Sequence, residues 1–219
     1  MIGRAIARRL YGAFKGTNIM MLHHVTNGGQ LISPCVLTEE NFISFIQGKS
    51  FIDIISAVEK TRNNDGCYSL TFDDNPEDLY TFSYKICKEH SIPLTAFISS
   101  DLLDFDGYIT TEQLIEMAHD PLVTIGSHGA SHVKLTDCDD SRARYEIVSS
   151  KEKLEVILNQ EISLFAFPNG AFTKREIKLV KDAGYTYAFG VTPRRNTILS
   201  KVLCRYHLPR INLTNQTIK

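Results

Sequence analysis

The chain has 219 residues, 43% of them hydrophobic and 22% charged, with a net charge of −1. That length supports one substantial core and is ordinary for a single α/β barrel. The near balance of charge argues against nucleic acid as a partner, and five scattered cysteines (Cys35, Cys67, Cys87, Cys138 and Cys204) without a CxxC pair fit reduced thiols better than a disulfide framework.

In chain order, residues 1–17 come first. They carry Arg4, Arg8, Arg9 and Lys15 with no acid among them, while Ile2, Ile6, Leu10 and Phe14 recur at every fourth position. This predicts a basic helix whose apolar stripe serves either docking on the domain or a weak peripheral contact with an anionic membrane face. Its apolar runs are too short for a signal-peptide core or a membrane span, so the expected location is cytoplasmic, with membrane contact no more than peripheral. From residue 18 to 213 no repeat, low-complexity tract or linker interrupts the chain, which predicts one domain. The polar tail 214–219 is expected to fray.

Within the domain, short apolar runs alternate with longer helical patterns. Strands are predicted at 18–25, 67–74, 94–99, 123–128, 164–168, 185–191 and 208–213. Their apolar character along the whole length suits strands covered on both faces. Helices are predicted at 38–48, at 76–90 with Pro76 at its first position, at 110–120 with Thr110 or Thr111 as N-cap, at 139–159, and at 173–185 with Gly184 near its end. The alternation implies βα units wound into an irregular parallel barrel, which puts any chemistry at the C-terminal ends of the strands.

Three strand ends carry the chemistry. "TFDD" ends one strand with two adjacent carboxylates, Asp73 and Asp74. Alone, such a pair before Asn-Pro reads as a solvated turn. "VTIGSHGASH" ends another with His128 and His132, and two imidazoles plus one carboxylate at about 2.0–2.2 Å form a three-ligand set for a catalytic metal. One aspartate can then ligate while the other acts as general base on a water at the metal. "SLFAFPNGAF" ends a third strand in a Pro168-Asn169-Gly170 turn, which serves either as a plain β-turn or as a source of backbone N–H groups for an oxyanion.

In this order the motifs resemble those of the polysaccharide deacetylase family, the NodB-homology domain of carbohydrate esterase family 4. The resemblance implies a distorted (β/α)7 barrel and removal of an acetyl group from an N-acetylated sugar or glycan. It implies Asp73 as catalytic base, Asp74, His128 and His132 as metal ligands, and Asn169, beside Pro168, as the oxyanion-stabilising N–H. One divalent metal follows, zinc in the first place, with nickel or cobalt suited to the same ligands. Gly129 departs from a usual Ser or Thr, Ala166 from an Arg that braces the catalytic Asp, and Asn169 from an aromatic residue. The late Leu-x-His that supplies the general acid has no clean match.

A branch of that family tied to bacterial surface polysaccharides ends in a Leu-Pro-Arg-Ile-like segment and opens with a Tyr-His-x-Val-like strand. "LPRI" (208–211) and "LHHV" (22–25) resemble these, placing Arg210 as the substitute brace for Asp73 and His23 at the matched position near the substrate. His207 and His23 are the candidates for general acid. His24, His90 and His119 carry no motif and read as surface or packing residues. Two other readings compete: a degenerate relative that binds glycan without turnover, and a hydrolase of another acyl or cyclic amide bond. Oligomeric state is left open.

Overall fold

The computed structural model describes residues 16–26, 35–59, 66–192, 195 and 205–218. The basic segment expected at 1–17 lies outside the described residues except at its last two positions, and Cys204 lies outside them altogether. Cys67, Cys87 and Cys138 are free thiols. Among the described residues, no helix is long and apolar enough to cross a membrane.

The seven predicted strand stretches form a single parallel sheet. In chain order its strands are β1 (Asn18–Leu22), β4 (Tyr68–Phe72), β5 (Leu94–Ile98), β6 (Val123–Ser127), β7 (Leu164–Ala166), β8 (Tyr187–Phe189) and β9 (Ile211–Asn212), arranged spatially as β8-β7-β6-β5-β4-β1-β9. The sheet curls into a barrel because the last segment pairs on both sides. Leu208 bridges to Phe189 of β8, Thr192 N–H donates to Arg210 C=O, and Ile211 then pairs with Met20 of β1. This is the distorted (β/α)7 barrel that the motifs imply.

Strand side chains alternate between two cores, as a period of two requires. Ile19, Phe97, Leu164, Ala166, Tyr187, Phe189 and Leu208 fill the barrel, and Ile54, Ala57 and Val58 of a short helix, Ile54–Glu59, pack with them. Met20, Leu70, Phe72, Ala96, Ile98 and Phe165 instead pack outward against the surrounding helices. Gly126 is what lets Phe97 occupy the interior: a Cβ there would lie 2.6 Å from the Phe97 ring and 3.1 Å from Leu164 Cβ.

Several local features differ from the sequence expectations. The stretch 18–25 breaks at His23, because Asp78 Oδ2 takes the Val25 N–H (2.5 Å) and Asp78 Oδ1 holds His24 Nδ1 (3.1 Å). The residues beyond the break, β2 (His24–Thr26), pair with β3 (Val36–Thr38) in a separate two-stranded sheet. The helix after Pro76 is π-helical over Leu79–Tyr84 before turning α-helical at Lys85–Glu89. Thr110, rather than Thr111, caps its helix, through a reciprocal capping box with Gln113. The tail does not fray at Asn215, whose Oδ1 accepts from Thr38 N (3.2 Å) and Asn41 Nδ2 (2.8 Å).

Filling the space that Gly126 leaves should be costly. Gly126→Ala is expected to lose about 1–3 kcal/mol by overpacking against Phe97, lowering Tm by about 3–10 °C. A thermal melt of the variant checks this, and an unchanged Tm would show that the Phe97 ring yields without cost.

Candidate active site

Parallel strands in a barrel bring their C-terminal ends to one rim. Here that rim carries His23 after β1, Asp73 and Asp74 after β4, His128 after β6 and Pro168-Asn169 after β7. The connecting backbone is bent hard. Asp74 (φ 69°), Asn75 (φ 42°), Gly129 (φ 79°), His132 (φ 60°) and Asn169 (φ 58°) all adopt left-handed conformations, which non-glycine residues hold only where surrounding structure enforces them. The enforcing bonds are visible. Asn75 Oδ1 accepts from Ser99 N (2.8 Å), and the carbonyls of Gly129 and Ala130 accept from the N–H groups of Ser100 and Asp101.

The two adjacent carboxylates diverge. Asp73 turns into the barrel, 2% exposed, and meets the fully buried Arg210 end-on, with Nη1 to Oδ1 and Nη2 to Oδ2 both at 2.7 Å. Arg210 is fixed in turn. Nη1 also donates to Thr71 Oγ1 (3.1 Å), Nε donates to Gly190 C=O (3.3 Å), and the guanidinium lies 5.1 Å from the centroid of the Phe97 ring. Burial by itself would raise the Asp73 pKa, but the guanidinium outweighs it and holds the carboxyl below its usual range. Because folding lowers this pKa, the pair stabilises the fold fully above the unfolded carboxylate value, about pH 4, and the contribution is lost as pH falls through the folded value. Ala166, where the expected arginine is missing, thus stands opposite a brace supplied from the other end of the chain.

Asp74 turns the other way, toward the histidines. Its Oδ1 lies 2.9 Å from His132 Nε2 and 3.3 Å from His128 Nε2. The proton of His128 is placed by the backbone, since Nδ1 lies 2.8 Å from the Ala166 carbonyl, a bond that only an Nδ1–H can make. In the neutral ring Nε2 is therefore a lone pair. Asp74 Oδ1 accordingly remains buried without a hydrogen-bond donor despite these short distances. Two imidazole nitrogens and an unsatisfied carboxylate oxygen, all within 4.8 Å of one another, form a group that could hold a divalent cation. Burial raises the Asp74 pKa, and the imidazoles in their protonated form, donating to the carboxylate and attracting it, more than reverse that and leave it well below the usual carboxylate range.

The remaining predicted residues divide. His23 joins the site: its Nδ1 is buried with no partner, burial lowers its pKa, and the charges of Asp73 and Asp74 oppose that shift. Pro168 packs beside the histidine loop, its Cγ 3.5 Å from where a Gly129 Cβ would sit. Asn169 is exposed at the tip of its turn. His207 does not join them. It packs on Phe172 with ring centroids 5.5 Å apart, and its pKa is lowered by burial alone, with neither aspartate contributing.

Two contributors escape a reading by motif. Glu146, fully buried, accepts from Ser131 N (2.7 Å) and Ser131 Oγ (2.6 Å) and pairs with Arg142 Nη2 (2.5 Å). It thereby grips the loop between the two histidines, where Gly129 lacks the usual hydroxyl. The available signal was its helical register with buried Ala143, Ile147, Ser150 and Leu154. His24, read as a surface or packing residue, instead lines a cavity together with Asp74 and His132.

Removing one member of the buried pair should cost far more than removing both charges. Arg210→Met is expected to lose about 3–5 kcal/mol, with Asp73→Asn added to it recovering a large part. Urea denaturation of the single and double variants measures this. Additive losses would show that the two groups are not coupled.

Comparison with known proteins places this rim. The polysaccharide deacetylase family model matches residues 60–188, more than half of the chain. YxkH of Bacillus subtilis is 23% identical over 180 residues, covering 80% of this chain and 63% of its own. The poly-beta-1,6-N-acetyl-D-glucosamine N-deacetylase of Staphylococcus aureus is 24% identical over 168 residues, covering 68% and 55%. The chain thus spans between about half and two thirds of the length of these relatives. Among solved structures, the Streptococcus pyogenes deacetylase PplD in complex with acetate superposes with a TM-score of 0.83 at 19% identity, over 94% of this chain and 96% of that one. IcaB from Ammonifex degensii superposes with a TM-score of 0.82 at 17% identity, over 93% and 94%. These two likenesses concern the barrel, and the family model, which spans the strands from β4 to β7 together with Asp73, Asp74, His128 and His132, gives the assignment: the chain belongs to the polysaccharide deacetylase family.

Proposed function

We propose that this protein is a metal-dependent hydrolase that removes the acetyl group from an N-acetylated sugar unit of a polysaccharide or glycan precursor. The observation that carries the reading is the convergence of Asp74, His128 and His132 on one point beside a carboxylate, Asp73, that is held ionised. A divalent ion bound there would polarise the acetyl carbonyl and lower the pKa of a water. Zinc suits two imidazoles and one carboxylate, and nickel or cobalt suits them as well.

The chain's own residues supply the rest. Asp73 Oδ2 lies 3.7 Å from His128 Nε2, so this oxygen borders the cluster while Arg210 keeps it charged. It is the base that takes the proton of the attacking water. The turn at Pro168–Gly170 spends the N–H groups of Gly170 and Ala171 on Phe167 and Pro168, and Asn169 N–H makes no hydrogen bond outside that turn among the described residues. It is the donor for the oxyanion. His23 is the group that protonates the departing amine nitrogen. Both aspartates act on it electrostatically, and a lowered pKa makes its protonated form the stronger acid.

Two experiments test these roles. Acetate release should be assayed on N-acetylated oligosaccharides and, in parallel, on cyclic amides, with metal content measured on the same samples. Asp73→Asn is expected to abolish release from the sugars while metal stays bound, and turnover of cyclic amides alone would overturn the substrate class. Second, His23→Gln should lower kcat by about 10²–10⁴-fold, whereas His207→Gln should stay within a few-fold of the parent. The opposite pattern would transfer the proton-donor role to His207.

A further inference from the structure

We infer that Glu146 is a positioning residue for His132: by gripping Ser131 it fixes the neighbouring imidazole and so sets how tightly the site binds its metal. The inference rests on the metal-dependent reading of the Asp74, His128 and His132 cluster.

The two imidazoles are held by different means. A histidine that ligates a metal is ordinarily oriented by a second bond at its other ring nitrogen. His128 has that bond, Nδ1 on the Ala166 carbonyl, and its backbone N–H donates to Ile98 C=O (2.8 Å). His132 presents Nε2 to Asp74, and among the described residues no protein group takes its Nδ1. Its backbone is left-handed as well (φ 60°), which a non-glycine residue keeps only under constraint. The direction of this ring therefore depends on how firmly the residue before it is fixed.

Glu146 supplies the anchor. It rises fully buried from the helix Asp140–Leu158 and spends both carboxylate oxygens on Ser131: Oε2 accepts from Ser131 N (2.7 Å) and Oε1 from Ser131 Oγ (2.6 Å). Arg142, one turn earlier, donates from Nη2 to Ser131 Oγ (2.9 Å) and pairs with Glu146 Oε1 (2.5 Å), closing a knot of three side chains. Ser150, one turn later, bonds through its hydroxyl to Ser127, whose Oγ accepts from Gly129 N (3.3 Å). One face of the helix thus grips the ligand loop at both ends. Glu146 Oε2 also lies 3.5 Å from where a Gly129 Cβ would sit, so the carboxylate spans the loop from residue 129 to residue 131. A buried carboxylate is costly unless it is paired and hydrogen-bonded. Among the described residues, every bond that compensates this one runs to Ser131 or to the arginine bonded to Ser131.

Competition with a chromophoric chelator gives the affinity of the metal-stripped protein for Zn2+, Ni2+ and Co2+ and tests this without any substrate. For the ion that the parent binds most tightly, Glu146→Ala is expected to weaken binding about 10–100-fold. Glu146→Gln, which keeps one acceptor oxygen, and Ser131→Ala, which keeps the backbone N–H, are expected to weaken it about three- to tenfold, and these two decide the matter if Glu146→Ala does not fold. The His132→Ala background separates positioning from stability. There Glu146→Gln should change the residual metal affinity by less than about twofold while still lowering Tm of the metal-free protein. Parent-like affinity in both Glu146→Gln and Ser131→Ala, or an equal loss with and without His132, would overturn the inference. A parent that binds none of the three ions would overturn the metal-dependent reading, and the inference with it.

Discussion

A carboxylate and a guanidinium, both all but removed from water, sit face to face inside the barrel, and much of the molecule is arranged to make that tolerable. Taking either charge into the interior unpaired would cost several kcal/mol, and only close, fully hydrogen-bonded pairing offsets it. The bidentate end-on contact of Arg210 with Asp73 meets that demand, and Thr71, Gly190 and the Phe97 ring take up the rest of the guanidinium. Phe97 can lie there only because residue 126 is glycine. One electrostatic requirement thus reaches from a strand end, through an aromatic ring, to a missing side chain on a neighbouring strand.

The same pairing explains how two adjacent aspartates avoid repelling each other into uselessness. Asp73 faces a fixed organic cation, and Asp74 faces the two imidazoles of a cluster that could hold an inorganic one. Each carboxylate has its own partners, so proximity in sequence does not set the two against each other. The left-handed turns at Asp74 and Asn75 are what separate the two side chains, and the sheet's hydrogen bonds, with Asn75 anchored to Ser99, keep those turns from relaxing.

How much of this could be read from the chain depended on the range of the interaction involved. All seven strands of the barrel were legible, six of them because burial leaves continuous apolar runs and the half-buried β9 through its Leu-Pro-Arg-Ile segment. The clustering of Asp74, His128 and His132 was legible because its members sit at strand ends with fixed local spacing. Arg210 could be guessed only from the absence at residue 166 matched by a presence near the C-terminus. Features without a periodic or local signature were missed. The helix Ile54–Glu59 is too short to declare a pattern. His24 and Asp78 lie 54 residues apart, and nothing near either names the other. Glu146 looked like one more charge on a polar helix, although its register among buried neighbours pointed inward. His207, close in sequence to Arg210, packs on Phe172, and neither aspartate acts on it.

Barrel closure also sets an order of events during synthesis. Asp73 and Arg210 are 137 residues apart, and the segment that carries Arg210 is the one that pairs β8 to β1. Until that stretch has left the ribosome and docked, Asp73 has no counter-charge, and the seam through which water reaches it stays open. A nascent chain can already display both histidines and both aspartates, yet it cannot hold Asp73 in register with them. The buried pair therefore forms in a single late step, when the barrel closes.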